Sequence, residues 1–340
     1  MGQKISEEYL EYAKSYIPQP QRYTPYQSNW KPPEEEPPII IATKLESSPF
    51  EPRNFSEFIG QASVKEVLQI IVDSANKERR LIPNILLTGA YGHGKTTLAK
   101  LIIKRHRKKI RIVDGSIVET VIVPSTDVIY IVDEAHNIPS QVADTYNILI
   151  DSGNLRIIAC TTNPGALPAA FRSRFRNIYI SSYTVDNIKT IIQKAANRAK
   201  INLTPKAAGL LAARSKLNPR YGLTLLDFIR EISILTATPN LPIIEQNILE
   251  GVRKLGIDSL GLTEIDRKYL SLLKANKPIG LQYIASVLAV DVNTIQEEIE
   301  PYLIQLGLIE RTQRGRIIGD NHSITMLNKR ILEEARKLTP

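Results

Sequence analysis

The chain of 340 residues contains one cysteine, one tryptophan, two methionines and four histidines. A single cysteine, Cys160, cannot close an internal disulfide, so a reducing compartment is the default. The histidines, at 93, 106, 136 and 322, fall at no metal-ligand spacing, which argues against a zinc site. No apolar run is long enough to cross a bilayer, and no signal peptide is recognisable; a cytoplasmic protein without membrane contact is expected. Acidic side chains are outnumbered, 35 against 44 basic ones, leaving a net charge of +9. The 43% apolar content suffices for real cores, and the length suggests two or three domains.

The charge is unevenly spread. Residues 1–49 hold five basic and seven acidic side chains, so the rest of the chain carries +11. A basic globular body favours a polyanionic partner, most often nucleic acid. The same 49 residues carry eight of the 21 prolines, Trp30 and the run Pro32-Pro-Glu-Glu-Glu-Pro-Pro38. They read as an extended arm with a short helix near Glu7–Tyr16, serving as a tether or as a docking peptide anchored by Tyr23, Tyr26 and Trp30.

Chemistry concentrates in two segments. Gly89-Ala-Tyr-Gly92-His-Gly94-Lys95-Thr96-Thr97 follows an apolar stretch, residues 84–88, and opens a helical pattern. Glycines let backbone N–H groups close around phosphate oxygens, and a helix N-terminus adds partial positive charge. Lys95 is placed to reach the β- and γ-phosphates, and the Thr96 hydroxyl to hold Mg²⁺. Val128 to Val132 is apolar throughout, as in a parallel strand covered on both faces, and ends in Asp133-Glu134. Asp133 would hold Mg²⁺, and Glu134 would orient or deprotonate the attacking water. The pair predicts binding and hydrolysis of a nucleoside triphosphate.

Strands are expected near 84–88, 110–114, 128–132, 156–161 and 177–180, alternating with helices that include residues 63–79 and 137–151. That alternation predicts an α/β fold with a parallel sheet. From about Ser182 to Leu255 the periodicity is helical, and Asp258–Leu262 reads as a connector. Three helical patterns from Thr263 then precede a hairpin ending at Ile318 with Gly315 at its turn, which reads as a winged helix. The expected domains are an arm at 1–49, an ATPase domain at 50–181, a helical lid at 182–258 and a winged-helix domain at 259–335.

These residues resemble the RuvB family, AAA+ motors of Holliday-junction branch migration. Arg53-Asn-Phe-Ser-Glu-Phe58-Ile59-Gly-Gln61 is similar to the family's segment beside the adenine. Gly89–Thr97 and Asp133–His136 match its nucleotide and acidic motifs, and Ile158-Ala-Cys-Thr161-Thr162 the strand that senses γ-phosphate. Phe171-Arg-Ser-Arg174-Phe matches the arginine-finger motif, with Arg172 as the neighbouring candidate, and Asn218-Pro-Arg220 the second sensor. Residues 261–266, 278–281 and 300–316 are similar to the family's winged-helix domain, so Arg311, Arg314 and Arg316, followed by Lys329 and Arg330, are implied DNA-backbone contacts. The resemblance implies ATP and Mg²⁺ as cofactors and Lys95, Glu134 and Arg174 as catalytic residues. It also implies a homo-oligomeric ring, most plausibly hexameric, and duplex or branched DNA read without regard to sequence. A second basic run, Lys104–Lys109, reads as a solvated helix end.

The resemblance breaks at two places: the strand region after the glycine loop is abbreviated, and so is the interval after the acidic motif. The family docks its partner RuvA through a β-hairpin between the acidic motif and the sensor strand. Here only residues 136–155 fill that interval, which puts a RuvA-type partner in doubt. The expected function is therefore an ATP-driven DNA motor, with an ATP-dependent helicase loader or clamp-loader-like switch as the alternative.

Overall fold

The computed structural model describes residues 48–106, 109–115, 128–235, 241–273 and 277–319; the arm and its expected helix, Lys329 and Arg330 lie outside them. The described chain separates into two compact units. One comprises Ala62–Gly89 and Lys95–Ile180, the other Ser47–Gln61, Ala90–Gly94 and the chain from Ser181 onward. Among the described residues no helix is long and apolar enough to cross a membrane.

The first unit is an α/β sheet. Helix α1 (Ala62–Lys77) buries Leu68, Ile71, Val72 and Ala75, one stripe at helical spacing. Strand β1 (Ile85–Thr88) leads through the glycine loop to α2 (Lys95–His106). Strands β2 (Lys109–Asp114), β3 (Val128–Asp133), β4 (Ile157–Thr161) and β5 (Arg176–Tyr179) complete a sheet of order β2-β3-β4-β1-β5. Every pairing is parallel. Residues 128–132 and 157–161 are buried without alternation, because both faces of these strands are covered. Parallel strands present their carboxyl ends along one edge, and there Asp133 ends β3, Thr161 ends β4 and Gly89 follows β1, on three adjacent strands.

The expected helix over 137–151 is divided. A 3₁₀ turn spans Ala135–Asn137, and α3 starts only at Ser140 and runs to Asp151. Ile138 precedes Pro139 and is held extended (φ −64°, ψ 122°), since the proline ring disfavours the helical region for its predecessor. A turn with Gly153 at φ +78° then leads to β4. After it, α4 (Ala169–Arg172) is a single turn.

The second unit begins its helices with α5 (Val185–Arg198). The Thr184 hydroxyl accepts from Asn187 N at 3.1 Å, and the Asn187 amide oxygen accepts from Thr184 N at 3.4 Å. This reciprocal cap fixes where the helix starts. Helices α6 (Pro205–Ala213), α7 (Pro219–Leu235) and α8 (Glu245–Lys254) pack with α5 around Ile188, Ile192, Leu211, Leu226 and Ile248. A second cluster around Tyr269, Ile284, Ile295 and Leu303 belongs to α9 (Glu264–Leu273), α10 (Leu281–Leu288) and the run α11 (Val292–Thr294), a π turn (Ile295–Ile299) and α12 (Glu300–Gln305).

Antiparallel β6 (Ile309–Thr312) and β7 (Gly315–Ile318) form the wing. Gly315 is not the projecting turn residue expected from the sequence. Gln313 and Arg314 make the turn, and Gly315 starts β7 at φ +140°. Ile279 bridges Arg316 of β7, and a Cβ on Gly315 would stand 2.4 Å from the Ile279 carbonyl oxygen. The glycine is required by close backbone approach.

Candidate nucleotide site and basic wing

In the first unit the sheet's carboxyl edge gathers the predicted phosphate chemistry. Lys95 begins α2, is buried, and its Nζ donates to the Gly89 carbonyl oxygen at 3.0 Å. The next residue, Thr96, donates its hydroxyl to Asp133 Oδ2 at 2.7 Å. Thr97, part-buried, continues the helix. The other Asp133 oxygen accepts from Glu134 N at 3.1 Å. Glu134 itself stands in the left-handed region (φ 45°, ψ 46°), where a non-glycine residue costs about 1–3 kcal/mol. Such a conformation turns the chain sharply out of β3, so the two adjacent carboxylates take different directions.

The two threonines at the end of β4 are distinguished by their partners. Thr161 is fully buried; its Oγ1 accepts from Asn163 N at 3.0 Å and lies 3.0 Å from His136 Nδ1. Thr162 Oγ1 is enclosed with no hydrogen-bond partner. An enclosed hydroxyl without a partner is costly unless a ligand or water completes it, so Thr162 is the better candidate for phosphate sensing. Cys160, just before them, is buried, and its thiol is pushed up by burial and then by the carboxylate of Asp133, which keeps it an inert core residue.

Arg174 lies on the turn after α4. That turn is anchored by Phe171 and Phe175, both buried, with ring centroids 4.8 Å apart. The Arg174 guanidinium makes a bidentate pair with Asp151 (2.8 and 2.6 Å) and donates to the Ala170 carbonyl. The pairing holds the Asp151 carboxyl below its ordinary range. Arg172 has its Nε enclosed without a partner.

In the second unit the tip of the glycine loop meets the start of α7. Asn218 Nδ2 donates to the Tyr91 carbonyl at 3.0 Å, while Asn218 Oδ1 accepts from Arg220 N at 3.0 Å and Tyr221 N at 3.3 Å. One amide thus caps α7 and ties it to the loop. A Cβ on Gly92 (φ +73°) would fall 2.2 Å from Asn218 Oδ1, so only glycine permits the approach. The Arg220 guanidinium stands over the Tyr91 ring, 4.6 Å from its centroid. Gly94 (φ +86°) sits against the buried Phe58 ring, Ile59 beside it is part-buried, and the Tyr183 hydroxyl donates to the His93 carbonyl at 3.1 Å.

The three wing arginines implied as DNA contacts stand in unequal surroundings. Glu300 is fully buried at the start of α12 and accepts from Arg311 Nε (2.7 Å), Arg316 Nε (2.8 Å) and the Tyr269 hydroxyl (2.8 Å). Arg316 is only 14% exposed, whereas Arg314 is exposed at the turn. Burial alone would raise the Glu300 carboxyl, but the bonds from Arg316, Tyr269 and Arg311 outweigh it and hold it below the ordinary range. A carboxyl lowered by folding contributes stability above its unfolded value of about 4.3 and loses it as pH falls through the lower folded value. Glu300→Gln should therefore destabilise the chain by about 3 kcal/mol at neutral pH, because two guanidinium groups lose their buried partner, and flatten the acid limb of a stability–pH curve. Chemical denaturation from pH 3 to 8 checks this; an unchanged midpoint would mean the network is energetically neutral.

Of the basic run Lys104–Lys109, Lys104 and Arg105 are exposed at the end of α2, and Arg107 and Lys108 lie outside the described residues. Arg105 makes a bidentate pair with Asp73 of α1 (2.7 and 2.6 Å), and His106 Nδ1 meets Asn76 Oδ1 at 2.6 Å.

Comparison with known proteins fits this arrangement. Residues 50–158 match the family model described as the Holliday junction DNA helicase RuvB P-loop domain, and residues 259–327 match the RuvB C-terminal winged helix domain. The Holliday junction branch migration complex subunit RuvB of Kosmotoga olearia is 31% identical over 298 residues, 78% of this chain and 86% of its own. Its counterpart in Campylobacter jejuni subsp. doylei is 33% identical over 317 residues, 83% and 94% of the two chains. The chain belongs to the RuvB family. The solved structure of the Thermotoga maritima RuvB Holliday junction branch migration motor superposes with a TM-score of 0.73 at 30% identity, covering 81% of this chain and 97% of that one. As a RuvB-family protein the chain is a P-loop ATPase whose α/β domain precedes a winged helix.

Between Asp133 and Ile157 this family member has the 3₁₀ turn, α3 and the Gly153 turn, and no strand. Sequence reasoning missed four residues that organise the sites: His136, Asn218, Asp151 and Glu300. Asn218 and His136 stood inside quoted motifs but carried no assigned role. The partners of Arg174 and of the wing arginines lie 23 and 11–16 positions away, at spacings no local pattern marks.

Proposed function

We propose that this chain is an ATP-driven DNA motor that assembles as a hexameric ring and moves duplex or branched DNA. The observation that supports the reading best is the contact of Thr96 with Asp133 beside Glu134, in a RuvB-family chain that also carries the winged helix. The hydroxyl and the carboxylate converge as hard oxygen donors, a set that suits Mg²⁺ with water completing its shell. Thr96 and Asp133 would hold the ion. Magnesium, when bound, supplies positive charge to the β- and γ-phosphate oxygens.

The remaining steps belong to the chain's own groups. Lys95 exchanges the Gly89 carbonyl for phosphate oxygens, and the amides of the glycine loop close around them. Thr162 offers its hydroxyl to the γ-phosphate. Glu134 orients the attacking water and takes its proton. Arg174 leaves Asp151 to neutralise charge on the phosphoryl group in a neighbouring subunit of the ring. Phe58, Ile59 and Arg220 are proposed nucleotide contacts through their resemblance to the family's motifs. The relatives compared are branch-migration subunits rather than loaders, so the motor is the reading retained. The interval over 134–156 offers no hairpin for a RuvA-type partner, so loading through another surface is proposed. A cytoplasmic site of action belongs to the same proposal.

Wing contact with DNA rests on Arg314. Arg314→Ala should weaken binding to every duplex alike and lower the slope of affinity against salt by about one unit. Arg311→Ala and Arg316→Ala should act mainly on stability, through Glu300. Titration of a fixed-length duplex at several salt concentrations decides it; an unchanged slope in Arg314→Ala would remove the wing turn from the DNA path. For the motor itself, Lys95→Ala should abolish ATP binding, and duplex or junction DNA should stimulate the hydrolysis of the unaltered chain. Hydrolysis indifferent to every DNA would argue against a DNA motor.

A further inference from the structure

His136 stands where the sensor strand and the acidic motif meet. Its Nδ1 lies 3.0 Å from Thr161 Oγ1 and 3.4 Å from Glu134 Oε2. The ring is held on the 3₁₀ turn over Ala135–Asn137, directly after the left-handed Glu134. One nitrogen thus faces two competing partners. Nδ1 carries at most one hydrogen in the neutral ring. When it carries that hydrogen it can donate to the Glu134 carboxylate. When it does not, it can accept from Thr161 O–H, whose oxygen already accepts from Asn163 N and so has its hydrogen to give. The two arrangements exclude each other at this nitrogen, and of the two the first engages Glu134.

We propose that His136 is a positioning residue that couples the γ-phosphate sensor on β4 to the direction of the Glu134 carboxylate. Thr162, with its enclosed and unpartnered hydroxyl, is the next residue after Thr161. A phosphate engaging Thr162 pulls on the end of β4 and changes the distance from Thr161 to His136. The ring nitrogen then shifts its preference between Thr161 and Glu134. Water activation is thereby made conditional on an intact γ-phosphate. This rests on the reading that Glu134 activates the water.

The test is ATP turnover, with ATP affinity measured separately, for His136→Ala, His136→Asn, Glu134→Gln and the double variant His136→Ala/Glu134→Gln. His136→Ala should lose about 10–100-fold in kcat, the usual size of a loss through a supporting residue, with ATP affinity kept within about twofold. His136→Asn should recover most of that loss in kcat, because its amide nitrogen can donate to the Glu134 carboxylate at similar reach. The double variant should be no slower than Glu134→Gln alone, since His136 acts through Glu134. Normal turnover in His136→Ala while Glu134→Gln is inactive overturns the coupling and leaves the role of Glu134 standing. So does a failure of Asn to recover activity, or a double variant slower than Glu134→Gln. Normal turnover in Glu134→Gln overturns both readings.

Discussion

Glu134→Gln should bind ATP as the unaltered chain does and turn it over about 10²–10⁴-fold more slowly. The amide keeps the size and the backbone of Glu134. The Thr96–Asp133 contact and the Asp133 bond to the Glu134 amide are untouched by the change. The phosphate and metal contacts should therefore persist. What is lost is the carboxylate next to Asp133 that is proposed to take the proton from water. Stopped-flow binding of a fluorescent ATP analogue, followed by single-turnover hydrolysis, separates the two properties. Loss of binding together with turnover would place Glu134 in nucleotide affinity instead. Turnover at the normal rate would assign water activation elsewhere.

Arg174→Ala should fold, bind ATP and lose about 10³-fold or more in turnover, the scale of an arginine finger. In this structure it pairs bidentately with Asp151, which is 55% exposed, and donates to the Ala170 carbonyl. Reaching a neighbouring site exchanges these bonds for others, an exchange helped by the solvent around Asp151. The ring predicts more. Mixing Arg174→Ala subunits with Glu134→Gln subunits, each inactive alone, should restore part of the activity, because some interfaces would join an intact finger to an intact carboxylate. Asp151→Asn supplies a control: it removes the resting partner and should leave turnover largely intact. Full activity of Arg174→Ala would make the Asp151 pair the whole role of this arginine and reopen the question of Arg172, with its enclosed Nε.

The sequence was most legible where a local pattern dictates structure. Uninterrupted apolar runs marked β3 and β4 because a doubly covered strand needs them. Glycines at 89, 92 and 94 marked the loop because phosphate approach and left-handed backbone demand them. Pro139 also carried information that the helical periodicity of its neighbours concealed. Its constraint on Ile138 divides the segment into a turn and a helix, and this turn is what sets His136 beside Glu134. Distant pairing was illegible. Glu300 opens the winged-helix block 300–316 with no local mark of its role, yet it is fully buried and accepts from two of the three wing arginines. Burial of that kind is decided by tertiary packing around Tyr269 and not by neighbours in the chain. The division of labour between Thr161 and Thr162 was likewise undecided by adjacency, and the enclosed, unpartnered hydroxyl of Thr162 favours the second.

The most direct test of the motor is migration of a synthetic four-way junction by the purified chain alone, with ATP, without ATP and with Lys95→Ala in its place. The unaltered chain should convert the junction to duplex products with ATP and not without it, and Lys95→Ala should give no conversion. Junction binding and ATP hydrolysis with no conversion, when conversion is equally absent on arms without sequence barriers, would contradict the motor and describe a switch that grips DNA without travelling along it.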